Sequence, residues 1–142
     1  MEKIKVFETF SGIGTQKMAL DRLAKEYGLD FEFIGISEVN QFSILSYDAI
    51  HSGDFDIEEA SEEEMQRYTE KLNIPLDDKG KRQILKGDKL KNLYKASIRS
   101  NNFGDISKID LDNLPNFDLL TYSWPCTDVS GAGKQEGFLK GS

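Results

Sequence analysis

Cysteine is nearly absent. Cys126 is the only one in 142 residues, so no disulfide can form within the chain and a cysteine-built zinc site is excluded. Histidine is equally scarce, with His51 alone, which argues against a histidine-rich metal centre. No apolar run approaches the roughly 20 residues that a membrane-spanning helix needs. The opening residues have neither a long apolar stretch nor a small-residue cleavage site, so export is not expected and a reducing cytoplasm is the expected compartment. An excess of positive charge is also missing: 18 Lys and Arg stand against 25 Asp and Glu, a formal net charge of −7. Such a balance repels phosphate and excludes a protein that coats nucleic acid by charge alone.

What is present suits one globular domain. The length fits a single core, and the hydrophobic content, with Trp124, five Tyr and nine Phe, is enough to bury one. Residues 4–10 are β-branched and aromatic and stop at Ser11-Gly12-Ile13-Gly14, which reads as a strand ending in a tight turn. Thr15 then caps a helix whose Met18, Leu20, Leu23, Ala24 and Tyr27 share a face, and Gly28 ends it. Residues 31–36 read as a second strand, and Asn40 caps a second helix that closes near Gly53. Strand, helix, strand, helix is the pattern of a parallel sheet with crossover helices, so the expected class is α/β.

Residues 54–102 break this pattern. Acidic residues are concentrated at 54–70 and basic ones at 71–99. Ser61-Glu62-Glu63-Glu64 is a capping box, Pro75 breaks the helix that follows, and another helix is expected to begin near Asp88. The stretch reads as a helical insertion within one domain. Its basic run, residues 79–99, is either a phosphate contact or a solvated helix face. The α/β pattern then resumes: Gly104-Asp105-Ile106 reads as a strand end, and residues 117–124 are the most strand-like run in the chain, terminated by Pro125-Cys126. A glycine-rich loop is expected over residues 127–141. A sheet of about four strands is thereby left with an open face or edge.

Four features can carry chemistry, three of them with an ordinary alternative. The Gly12/Gly14 turn lies where a strand feeds a helix N-terminus, a place that admits close approach of an anionic or nucleotide ligand. The third glycine of the dinucleotide pattern is replaced by Lys17, and an ordinary tight turn reads equally well. Glu38 ends the second strand about 20–25 residues later, where a carboxylate accepts from ribose hydroxyls in doubly wound folds; a solvated acid is the alternative. Asp105 occupies the same register after the next strand and suits an adenine amino group. Cys126 is either a small buried hydrophobe or, at a strand's carboxyl end beside a polar loop, a thiolate nucleophile.

Taken in order, Phe7-Glu8-Thr9-Phe10-Ser11-Gly12-Ile13-Gly14, Ser37-Glu38-Val39, Gly104-Asp105-Ile106 and Ser123-Trp124-Pro125-Cys126, with Gly133-Lys134-Gln135-Glu136-Gly137 behind them, resemble the DNA cytosine-5 methyltransferases. The long insertion and Asp128-Val129-Ser130 resemble the bacterial, mycoplasmal and phage subgroup. The resemblance implies a Rossmann-like fold and S-adenosylmethionine as cofactor. It also implies roles for individual residues: Phe10 against the adenine, Gly12 and Gly14 admitting the methionine portion, Glu38 on the ribose, Val39 covering the base, and Asp105 with Ile106 at the adenine edge. Pro125 would belong to the same pocket and Cys126 would attack C6 of a cytosine flipped out of DNA. Thr127 stands where the family usually has Gln, and Val39 replaces a commonly aromatic residue.

The family's Glu-Asn-Val segment, arginine motif, target-recognition region and terminal cofactor segment are not found in residues 1–142. The chain therefore reads as the N-terminal part of the catalytic domain, expected to have little activity alone. Self-association or a complementary C-terminal half could satisfy the open sheet. Two readings from other classes stay open: a nicotinamide-dependent or other small-molecule Rossmann enzyme, and a non-catalytic module that binds cofactor or a partner half.

Overall fold

The computed structural model describes residues 3–53, 55–77 and 79–123. Its centre is β1 (Ile4–Thr9), whose last four residues Val6, Phe7, Glu8 and Thr9 are all buried. Burial of consecutive residues means that both faces of the strand are covered, as expected for the middle of a parallel sheet. β2 (Phe31–Ser37) and β3 (Leu119–Tyr122) flank it in the order β2-β1-β3, both parallel to it. A shift in register between Val6 and Phe7 marks the β1–β2 pair. Asp118 clasps the start of β1 from the other side: its carboxylate accepts the Lys5 N–H at 2.9 Å and its own N–H donates to the Lys5 carbonyl.

Alternation along β1 assigns the two faces. Phe7 stacks on Phe117 and meets Phe103 edge-on, with ring centroids 5.7 and 5.4 Å away. Burying a phenylalanine of this kind contributes about 2–3 kcal/mol. Glu8, one residue on, faces the opposite side and the helices there. α1 (Thr15–Tyr27) follows the glycine turn, and Gly28 ends it in the left-handed conformation with its N–H on the Ala24 carbonyl. The expectation that Thr15 caps α1 is corrected: Gly14 is the cap residue, without a side-chain cap, and Thr15 is the first helical residue. α2 (Gln41–His51) is capped by the Asn40 side chain, which accepts from the Phe42 and Ser43 N–H groups.

The insertion forms α3 (Glu62–Lys71) and α4 (Gly87–Arg99). Ser61 and Glu64 make the reciprocal capping box expected from their spacing. Leu93 and Ala96 of α4 join Ile44 of α2 and Ile74 in a fully buried cluster, with Val39, Leu72 and Leu85 packed against it. The insertion is thus part of the main core.

Two expectations are corrected. No strand precedes Asp105: Asn102 makes a single parallel bridge to Ile36, the chain turns at Gly104, and two short 3-10 helices follow at Ile106–Lys108 and Leu111–Asn113. Among the described residues the sheet therefore has three strands, where about four were expected. The Asn102 side chain accounts for the difference, because it bonds to backbone groups that a fourth strand would use. β3 is also shorter than the strand-like run, ending at Tyr122. Trp124, Pro125, Cys126 and the expected glycine-rich loop lie outside the described residues.

Candidate functional site

The carboxyl ends of β1 and β2 are joined by Glu38. Its Oε2 accepts the Gly12 N–H at 2.8 Å, and its Oε1 accepts the N–H groups of Val39 and Asn40 at 2.8 and 2.9 Å. A carboxylate offers about four lone-pair sites, so these three donors leave one acceptor on Oε2 among the described residues. Asn102 fixes the backbone from which this side chain springs. Its amide oxygen accepts from the N–H groups of Glu38 and Gly104, at 3.1 and 2.9 Å, and its amide nitrogen donates to the Glu38 carbonyl at 3.0 Å. Ser37 adds a bond from its hydroxyl to the Gly104 carbonyl at 2.7 Å. Glu38 and the Gly104-Asp105 turn are thus one hydrogen-bonded unit.

Asp105 is the second acid of that unit. Its Oδ1 accepts the Ser107 N–H and hydroxyl at 2.9 and 2.8 Å, and its Oδ2 accepts the Asn73 amide at 2.7 Å. Partial burial pushes its carboxyl up, but the Asn73 and Ser107 hydrogen bonds together outweigh this and hold it below the ordinary carboxylate value. By the same count, one acceptor remains on Oδ2 among the described residues. Gly104 is required here, because its φ is +71° and a Cβ would lie 2.2 Å from the Leu72 carbonyl oxygen.

The glycine turn is shaped from below. A Cβ on Gly14, at φ +81°, would lie 2.2 Å from His51 Nε2 and 2.8 Å from the Tyr47 ring. His51 Nε2 is 3.0 Å from the Ile13 carbonyl, so that nitrogen carries the proton that it donates. Tyr47 tilts against His51 and donates to Glu8 Oε2 at 3.4 Å. Glu8 Oε1 and the Ser11 hydroxyl are buried without a hydrogen-bond partner among the described residues. Burial, partly offset by Tyr47, pushes the Glu8 carboxyl up to about 7.

The sequence-predicted residues are placed as follows. Phe10 is exposed and sits in the left-handed region at φ +50°, where a non-glycine residue is uncommon. Gly12, Gly14 and Glu38 lie at the carboxyl ends of β1 and β2, and Asp105 follows Gly104, which is bonded to Ser37 at the end of β2. Val39 packs against the buried cluster, and its carbonyl accepts the Leu76 N–H at 2.9 Å. Ile106, with Phe7, Thr9, Ile109, Leu111, Leu114, Phe117 and Leu120, lines an apolar hollow of about 190 Å³ on the sheet face. Pro125 and Cys126 lie outside the described residues. The chain that leads to them is tied to α1, since the Gln16 amide donates to the Tyr122 carbonyl and the Ser123 hydroxyl at 2.7 and 3.0 Å.

Three residues of the site were missed by sequence reasoning: Asn73, Asn102 and His51. Asn102 carried a signal, because an Asn two residues before a Gly favours a turn in which its side chain takes the Gly N–H. Three residues of the basic run, all on α4, have acidic partners inside the molecule: Lys91 pairs with Glu59 at 2.8 Å, Lys95 with Asp56 at 2.9 Å, and Arg99 Nε with Asp48 at 2.8 Å. This pattern favours the charged helix face over a phosphate contact.

Comparison with known proteins agrees on one family. Residues 81–142 match the family described as C-5 cytosine-specific DNA methylase. The chain is 40% identical to the type II methyltransferase M2.ScrFI of Lactococcus lactis subsp. cremoris, over 98% of this chain and 39% of that protein. It is 36% identical to the orphan methyltransferase M.SssI of Spiroplasma monobiae, over 99% of this chain and 39% of that protein. The orphan methyltransferase M.Rho11sI of Bacillus phage rho11s is 33% identical over 97% of this chain and 18% of its own length. The chain thus spans about two fifths or less of the length of these relatives. A small parallel α/β sheet joined at its carboxyl edge by Glu38, a family match over residues 81–142 and likeness to methyltransferases along nearly the whole chain point the same way: the chain is similar to the C-5 cytosine-specific DNA methylases.

Proposed function

We propose that this chain supplies the cofactor-binding part and the nucleophile of a DNA cytosine-5 methyltransferase, with S-adenosylmethionine as cofactor. The observation that carries the reading is the Glu38–Gly12 hydrogen bond, which sets an acid and an open glycine turn side by side at the carboxyl edge of the sheet. The donor chemistry fits the group. Among the described residues, Glu38 and Asp105 each keep one unused acceptor, suited to a ribose hydroxyl and to an exocyclic amino group. When bound, S-adenosylmethionine supplies a methyl group on a sulfonium that a carbon nucleophile displaces.

The chain's own residues have three tasks. Glu38 holds the ribose and the Gly12 turn in one register. Asp105 reads the adenine edge, with Ile106 and Phe10 as apolar neighbours of the base and Pro125 beside them. Cys126 is the nucleophile: its thiolate adds to C6 of a cytosine taken out of the DNA stack and leaves again once C5 has lost its proton. Residues 1–142 belong to the catalytic domain, and the insertion at about 54–102 is built into its core.

Isothermal titration of the chain with S-adenosylhomocysteine and with NAD tests the reading. Binding of S-adenosylhomocysteine with no response to NAD is expected. Binding of NAD, or of neither, overturns it.

A further inference from the structure

Asn73 reaches the site from outside the sheet. It follows α3 in the insertion and sits at φ +53°, a conformation that Asn adopts more readily than most side chains. Two tethers run from its turn to the same acid: the Leu72 carbonyl accepts the Asp105 N–H at 2.9 Å, and the Asn73 amide donates to Asp105 Oδ2 at 2.7 Å. With Oδ1 filled by the two Ser107 donors, Oδ2 keeps the only unused acceptor of Asp105 among the described contacts.

We infer that Asn73 is a positioning residue that aims the free Oδ2 lone pair of Asp105 at the amino group of a bound adenine, so that the helical insertion sets the base specificity of the cofactor pocket. The inference rests on the function proposed above. An amide that donates to Oδ2 favours the ionised carboxylate, which only accepts. Such an oxygen takes the 6-amino group of adenine and repels the 6-oxo group of hypoxanthine. The Ser107 donors anchor Oδ1, and Asn73 is the described donor on Oδ2, so its amide selects which lone pair of that oxygen stays open.

The test uses Asn73→Gly and Asn73→Asp, both of which tolerate the left-handed backbone and lack the donor amide. Affinities for S-adenosylhomocysteine and for its hypoxanthine analogue, S-inosylhomocysteine, are measured by titration calorimetry. The wild-type chain is expected to prefer the adenine ligand by about tenfold or more, the scale of a hydrogen bond to a charged group. Both variants are expected to lose most of that preference, mainly by weaker binding of the adenine ligand. Three outcomes overturn the inference while leaving cofactor binding in place: no wild-type preference, a preference retained in both variants, or equal weakening of both ligands. If the wild-type chain binds no S-adenosylhomocysteine, the proposed function fails and the inference with it.

Discussion

Gly12 and Glu38, 26 residues apart, are joined by one hydrogen bond of 2.8 Å from backbone N–H to carboxylate. The bond links the turn after β1 to the end of β2, and the other carboxylate oxygen holds the first N–H groups of the following turn. Glu38→Gln keeps the size but replaces one acceptor oxygen with a donor that faces N–H groups. We expect a stability loss of about 1–3 kcal/mol in urea denaturation and at least about tenfold weaker binding of S-adenosylhomocysteine. Unchanged affinity would remove Glu38 from the ligand site.

Asn102 has a structural role that can be separated from ligand contact. It satisfies three backbone groups of Glu38 and Gly104 and is itself buried. Asn102→Ala leaves those groups without partners, so the denaturation midpoint should fall by an amount equivalent to about 2–4 kcal/mol. A loss below about 0.5 kcal/mol would show that water replaces the amide freely.

Glu8 sets a pH dependence with a definite sign. Its carboxyl is raised from the ordinary 4.5 to about 7, with burial the main cause, so the folded chain holds a proton more firmly than the unfolded chain. Its contribution is therefore most favourable below pH 4.5, is lost as pH rises toward 7, and is constant above that, a total of about 3 kcal/mol. Glu8→Gln removes this slope. Urea denaturation from pH 5 to 8 should show the variant gaining on the wild type as pH rises, whereas parallel curves would contradict the burial argument.

The glycine turn offers a test by paired substitution. Gly14→Ala forces a Cβ against His51 and Tyr47 at a φ of +81° and should cost about 2–4 kcal/mol. His51→Ala in the same chain removes the nearest atoms, so part of that cost, about 1 kcal/mol or more, should return. Strict additivity in thermal denaturation would mean that backbone conformation alone dictates glycine there.

Local signals were legible in the sequence. The alternation of strand and helix through residue 53 followed from apolar periodicity and glycine punctuation, and the Ser61–Glu64 box and the Asn40 cap from their spacing. Glu38 was also legible as an acid at a strand end, since it directly follows the strand-like run that forms β2. Long-range partners were not. Asn73 lies 32 residues from Asp105, and Asn102 lies 64 from Glu38; no periodicity reports a side chain that reaches across such a separation. The supposed strand before Asp105 failed for a related reason, because the Asn102 amide takes backbone groups that a strand would pair. The charge asymmetry of the insertion carried a clue that was only half read. Lys91, Lys95 and Arg99 recur every four residues and face Glu59, Asp56 and Asp48.

The most direct measurement is a titration of the ¹⁵N-labelled chain with S-adenosylhomocysteine, followed by amide chemical shifts. If the ligand lies against Glu38 and Asp105, the amides of Gly12, Val39, Asn40 and Ser107, all hydrogen-bonded to those two carboxylates, should move most and saturate together. Saturating shifts confined to the groove between Tyr68 and Asn113, or no shifts at all, would contradict a cofactor held at the carboxyl edge of this sheet.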